Sequence, residues 1–151
     1  MDLSKIQDLW EKDSALDISD NINSVSQASA DTPKLHAKYF KILSEERLEA
    51  RRLELKMKER SALLWKFYAG MPMDDEELEF LRLDPINKEK RVLKDQIRYY
   101  IDADKPMLKL QTMLEYQNEK VSFLEEIIKQ LNNRSFQLKN VIEWKRLIIG
   151  M

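Results

Sequence analysis

The sequence predicts an all-α protein, built from long antiparallel helices in a bundle or coiled-coil protomer that assembles into a homo-oligomer. Three observations predict it. Only two glycines and four prolines punctuate 151 residues, fewer turn-formers than a sheet protein requires. Apolar residues make up 43% of the chain, enough for a core, while 35% are charged, above the usual quarter. Two long stretches carry apolar residues at helical spacing without an internal Gly.

Residues 1–12 suit a short helix with Leu3, Ile6, Leu9 and Trp10 on one side. Residues 17–32 are rich in Ser, Asp, Asn and Ala and read as a loose linker. Thr32-Pro33 reads as a helix start, with Thr as N-cap and Pro in the first turn. That helix has no stop before Gly70-Met71-Pro72. It is about 35 residues and about 50 Å long at ~1.5 Å per residue, with Ala50, Leu53, Met57, Leu64 and Phe67 on one stripe. Such a length suggests a coiled coil or an assembly.

Residues 73–84 are acidic and suit a short helix or an ordered loop, bounded by Pro85. Residues 87–101 carry Val92, Leu93, Ile97, Tyr100 and Ile101 and predict another helix, although Ile97–Ile101 also suits a strand. Asp104 with Pro106 starts a second long helix, striped by Leu110, Leu114, Val121, Leu124, Ile128 and Leu131. Asn132-Asn133 either ends or kinks it, and Ser135 is the N-cap expected for a last helix over 136–149. The organisation expected is a helical region with a linker and a basic helix over 1–70, an acidic connector with a short helix over 71–105, and a helical assembly region over 106–151.

The chemistry available argues against an enzyme. There is one His and no Cys, the residues most used for acid–base and nucleophilic catalysis. His36 stands among lysines and reads as a surface or packing residue. A carboxylate-bridged metal pair needs Glu-x-x-His, and Pro33 lies three residues before His36. No glycine-rich phosphate loop can be drawn with glycines only at 70 and 150. No metal or cofactor is therefore expected. The absence of cysteine fits a reducing compartment. No apolar run approaches the ~20 residues that span a bilayer, and Met1–Lys5 lacks a signal-peptide layout. A cytoplasmic protein with no membrane partner is expected, in the host cell if the gene is a phage's.

Charge is segregated although the net is −1. Residues 1–33 hold seven acidic and two basic residues, whereas 34–68 hold ten Lys or Arg against five Glu. Arg51, Arg52, Lys56, Lys58 and Arg60 precede Trp65, Lys66, Phe67 and Tyr68. Cations neutralise phosphates and aromatic faces stack on unpaired bases, so this pairing is what sequence-independent single-strand binding needs. The plain alternative is a solvated helix face whose bases pair with Glu45, Glu46, Glu49, Glu54 and Glu59.

The last helix speaks for assembly. Lys139, Glu143 and Arg146 form a narrow polar arc, and Leu138, Val141, Ile142, Trp144, Ile148 and Ile149 spread over the remainder. A face that wide is buried on more than one side, and a chain this small has little core for it.

Several stretches carry a family resemblance. Asn132-Asn133-Arg134-Ser135-Phe136-Gln137-Leu138-Lys139-Asn140-Val141-Ile142-Glu143-Trp144-Lys145-Arg146 resembles the C-terminal signature of the UvsY-like recombination mediators of tailed phages. Leu35-His36-Ala37-Lys38-Tyr39 resembles that family's first long helix, and Trp65-Lys66-Phe67-Tyr68-Ala69-Gly70 its Trp-x-x-Tyr-(Ser/Ala)-Gly helix end. Ile101-Asp102-Ala103-Asp104 followed by Leu108-Lys109-Leu110-Gln111 resembles its mid-chain junction. The resemblance implies a ring of identical subunits that binds single-stranded DNA and helps a RecA-like recombinase displace the single-stranded-DNA-binding protein. It implies no ATP hydrolysis.

The best-studied form of the family has basic residues just before the aromatic helix end. Here Leu63, Leu64 and Trp65 occupy that stretch. The expected DNA contacts are therefore Arg51, Arg52, Lys56, Lys58, Arg60, Trp65, Lys66 and Tyr68, centred on the lysines and Arg60. The expected assembly residues are Phe136, Leu138, Val141, Ile142, Trp144 and Ile148.

Overall fold

The computed structural model describes residues 1–15, 22–83 and 92–150, and within them it has five helices and no strand. They are α1 (Leu3–Ser14), α2 (Ile22–Tyr68), α3 (Asp75–Leu81), α4 (Lys94–Asp102) and α5 (Lys105–Ile149). Chain contacts divide into two units, residues 1–47 with 118–151 and residues 48–117, so α2 and α5 contribute to both.

The inward face of α2 follows a four–three spacing: Tyr39, Leu43, Glu46, Ala50, Leu53, Met57, Arg60, Leu64 and Phe67, all buried or half-buried. In α5 the same spacing runs through Gln117, Lys120, Leu124, Ile127, Leu131, Arg134 and Leu138, all buried. A 3.5-residue repeat keeps one stripe facing a partner helix; the expected α2 residues Ala50, Leu53, Met57, Leu64 and Phe67 all lie on it, whereas of the six expected on α5 only Leu124 and Leu131 do, with Leu110, Leu114, Val121 and Ile128 half-buried beside it.

In the first unit α1 lies on α2 and α5. Ile6, Tyr39, Leu43, Leu124, Ile127 and Leu131 form its core, with Leu9 and Trp10 packed against it. Trp10 meets Tyr39 edge-on at 5.3 Å. Two polar clusters border this core. Glu46 and Lys120 are buried and pair at 2.9 Å; Glu46 also meets the N-terminal ammonium group at 3.5 Å, and Lys120 donates to the Met1 carbonyl at 3.1 Å. Asp13, at the end of α1, accepts from Lys38 at 2.6 Å and from the Tyr39 hydroxyl at 2.9 Å. Partial burial works against the Asp13 carboxylate, but the hydrogen bonds from Lys38 and Tyr39 and the Lys38 charge outweigh it, holding its pKa below the usual carboxylate value. Burial, and then the hydrogen bond to Asp13, push the Tyr39 phenol up.

In the second unit Leu64, Phe67, Leu81, Ile97, Ile101 and Met107 form the core. Its polar centre is Arg60, whose Nε donates to Asp104 Oδ2 at 2.7 Å and whose Nη2 donates to Oδ1 at 3.0 Å. Asp104 Oδ2 also accepts from the Met107 amide at 2.9 Å. One carboxylate thus caps α5, as Asp104 with Pro106 predicts, and neutralises a buried guanidinium on α2. α2 ends where Gly70 predicts. Gly70 takes a φ of 70°, and its amide donates to Phe67 while that of Met71 donates to Lys66, at 3.2 and 3.0 Å, the double closure of a Schellman motif. α3 is opened by a capping box between Asp74 and Glu77.

Three expectations need correction. α2 begins near Ile22, not at Thr32-Pro33, and Pro33 lies inside it; the expected linker over 17–32 is helical from 22 on, and its residues 17–21 lie outside the described residues. The Thr32 hydroxyl turns back to the Ala28 carbonyl at 2.9 Å rather than capping a helix, and Val25 is buried. That anchor extends the helix through a Pro whose missing N–H and ring clash cost about 3 kcal/mol. α5 continues through Asn132-Asn133, with Ser135 inside it rather than at a cap, because Leu131, Arg134 and Leu138 keep the inward stripe intact. α4 bears out the helix expected within 87–101, but it begins at Lys94, so Leu93 precedes it as an exposed residue rather than lying on it. Pro85 and the start of the expected 87–101 helix lie outside the described residues.

Asp104→Ala removes a cap and strands a buried cation, so it lowers unfolding free energy in urea by about 3–5 kcal/mol. Asp13 gives a pH signature. Its folded pKa lies below the unfolded one, so its stabilisation is complete above the unfolded value of about 4 and is lost as pH falls through the lowered folded value. Asp13→Asn is therefore less stable than wild type near neutrality, and the gap between their urea midpoints closes as pH drops below about 4.

Candidate nucleic-acid interface and assembly surface

The inward stripe of α2 in the second unit determines what the rest of that helix can offer. With Leu53, Leu64 and Phe67 turned in, Arg51, Lys58 and Trp65 point outward. They recur every seven residues, a spacing that drifts only about 20° per step around a helix, so they form one line. Trp65 keeps 43% of its surface exposed, leaving an indole available beside two cations. Arg52 and Lys56 are also exposed. Lys56 lies roughly 160° around the helix from Lys58 and one turn from Arg60, so it is exposed beside the inward stripe, on the far side of the helix from the outward line.

The pairing of these cations is weak. Arg51 meets Glu54 at 3.0 Å and Arg52 meets Glu49 at 2.8 Å, both one turn away and exposed. Exposed pairs of this kind contribute about 0.3–0.5 kcal/mol, so a phosphate can displace them. Lys56 and Lys58 form no ion pair among the described residues.

Other residues of the expected contact set are placed differently. Arg60 is buried and held on both guanidinium edges by Asp104; it is a core residue, because position 60 falls on the inward stripe. Lys66 is half-buried and donates to both Glu77 oxygens at 3.0 and 2.9 Å, tying α3 to the end of α2. Tyr68 is half-buried between Phe67 and Tyr100, each with ring centroids 5.3 Å away. Burial, then the Asp104 charge, push the Tyr68 phenol up. The sequence reading missed Leu48 and Leu55, exposed on the same outer arc as Arg51 and Lys58. Their seven-residue spacing was the signal that could have found them.

The second surface is in the first unit, at the end of α5. Phe136, Ile142, Trp144 and Ile148 are exposed, as are Leu147 and Ile149. Leu138 is buried and Val141 half-buried, so these two members of the expected assembly set belong to the protomer's own packing. Trp144, Leu147 and Ile148, at 64%, 77% and 62% exposure, make an outward apolar strip. Ile142 and Ile149 instead line a groove of about 740 Å³ with Val25 and Leu138, rimmed by Lys139 and Arg146. Apolar faces of this extent on a small protein mark interaction sites.

Among the described residues no group of three or more His, Cys, Asp or Glu could hold a metal ion, and His36 stacks on Phe40 at 6.0 Å. No helix among them is long and apolar enough to cross a membrane.

No curated protein sequence matches the chain. Three crystal forms of the bacteriophage T4 recombination mediator protein UvsY share its fold. One superposes with a TM-score of 0.77 at 21% identity, covering 99% of each chain. A second gives 0.76 at 20% identity over 95% of this chain and 98% of that one, and a third 0.75 at 20% identity over 97% and 99%. The family model described as recombination, repair and ssDNA binding protein UvsY matches residues 9–151, and the chain therefore belongs to the UvsY family.

Proposed function

We propose that this protein is a non-enzymatic recombination mediator. It binds single-stranded DNA, assembles with copies of itself, and promotes loading of a RecA-like recombinase onto DNA covered by single-stranded-DNA-binding protein. The observation that carries the reading is the outward line of Arg51, Lys58 and Trp65 on α2, with Arg52 and Lys56 exposed elsewhere on the same helix. Cations at two-turn intervals follow a phosphate backbone, and the indole offers a stacking platform that any base can use. Family membership supports the DNA partner. The exposed strip of Trp144, Leu147 and Ile148 supports self-association. Linkage of several weak sites in one assembly raises avidity without any new contact, and a strand held by many copies is withdrawn from a competing single-strand binder.

Leu48 and Leu55 favour a second reading. Exposed leucines seven residues apart, beside alternating charges, also suit docking of another helix. The protein would then be a coiled-coil assembly or adaptor protein without a DNA role.

Anisotropy of a labelled oligothymidine across a salt series separates the two. In the mediator reading the wild type binds, and each single-strand phosphate contact contributes about 0.7 to the slope of log affinity against log salt. Arg51→Ala/Lys58→Ala then lowers affinity at low salt and reduces that slope by about 1.4, and Trp65→Ala costs about 1–3 kcal/mol through a lost stacking contact. Trp144→Glu/Ile148→Glu reduces the sedimentation coefficient to that of a smaller species. No binding by folded wild-type protein at low salt favours the adaptor.

A further inference from the structure

Buried cations on the inward stripes have counter-charges, with one exception. Arg60 has Asp104 and Lys120 has Glu46. Arg134 of α5 is 6% exposed, and its Nε has no hydrogen-bond partner; no ion pair of its guanidinium occurs among the described residues. A guanidinium keeps its charge at any physiological pH, so it cannot escape the desolvation penalty by losing a proton. Leaving such a charge unpaired is strongly destabilising. Arginine on a stripe otherwise filled by Leu131 and Leu138 is accounted for if something anionic meets it.

The surroundings identify the anion's chemistry. Arg134 lines a cavity of about 500 Å³ in the first unit, together with Lys12, Lys34, Lys38, Asp13 and Asp31. Asp13 is committed to Lys38 and the Tyr39 hydroxyl. Asp31 accepts from Gln27 at 3.0 Å and stands 3.9 Å from Lys34. With both carboxylates counted, four cations against two anions leave the wall with an excess of two positive charges. A guanidinium presents a planar fork that matches two oxygens of one anion, and lysines add point charges around it. A tetrahedral oxyanion of charge −1 to −2 satisfies both.

We propose that this cavity is a phosphate-group site, with Arg134 as its buried floor and Lys34 and Lys12 as its rim. It is separate from the Arg51–Lys58–Trp65 line and stands whether or not that line binds DNA. The phosphate is either free or a phosphodiester of a strand, and the two sources share the same contacts.

Thermal unfolding tests it, comparing inorganic phosphate with chloride at matched ionic strength, and oligothymidine in a separate series. The variants are Arg134→Met, which keeps length and loses charge, and Lys34→Gln, which changes a side chain 81% exposed and leaves folding intact. Wild type should gain several degrees in phosphate over chloride. Arg134→Met should match or exceed wild type in chloride, because an unpaired buried charge has been removed, and should lose the phosphate shift; Lys34→Gln should show a reduced one. If oligothymidine alone gives the Arg134-dependent shift, the site takes a strand's phosphodiester; if inorganic phosphate gives it, the site takes free phosphate. The proposal is overturned if neither shifts wild type. It is equally overturned if Arg134→Met is destabilised in chloride while keeping its shift, for then a protein carboxylate such as Asp31 is the partner and Arg134 is structural.

Discussion

A charge withdrawn from water into the seam between two helices costs several kcal/mol unless an opposite charge meets it with good geometry. α2 and α5 carry such charges at regular seam positions, Glu46 and Arg60 on one and Lys120 on the other. These three are met within their own unit, Glu46 with Lys120 in the first and Arg60 with Asp104 in the second, while Arg134 of the first is the exception. In both, the paired groups lie on helices running in opposite directions. Leucines alone tolerate a slip by one heptad; these pairs do not, because a slip separates every cation from its carboxylate. Buried polar groups that specify register are the best-attested use of such pairs. Here they align the two long helices within each unit.

That constraint divides the basic residues of α2 by position. Those on the inward stripe are structural, and Arg60 is the clearest case. Those on the opposite arc, Arg51 and Lys58, pair only with neighbours on the same helix or with nothing described. The same helix can therefore be held rigidly on one side while presenting charge and an indole on the other. The end of α5 shows the complementary situation. Beyond Val141 its apolar residues Ile142, Trp144, Leu147, Ile148 and Ile149 are exposed.

Most of the fold was legible in the sequence. Gly70 and Asp104 marked helix ends because their chemistry is local: an αL closure needs Gly, and an N-cap needs a short acceptor. Pro33 and Asn132-Asn133 misled for the opposite reason. Each is a local stop signal, and each was overridden by burial of neighbours, Val25 in one case and Leu131, Arg134 and Leu138 in the other. The candidate DNA residues were legible as a basic segment but not as a surface. Residues 56, 58 and 60 are close in sequence, yet Lys58 lies roughly 160° around the helix from both Lys56 and Arg60. Charge count cannot see that, whereas continuing the Leu53, Leu64 and Phe67 stripe places Arg60 inside.

The inside–outside division of the basic residues is tested most directly by removing Arg60 without stranding its partner. Arg60→Met/Asp104→Asn deletes both buried charges and leaves a residue able to cap α5. Its oligothymidine affinity and salt dependence, measured beside wild type, should be unchanged, since no outward cation has been touched. A folded double variant that loses single-strand binding would contradict this, and would make Arg60 a DNA contact rather than the neutralised core of the second unit.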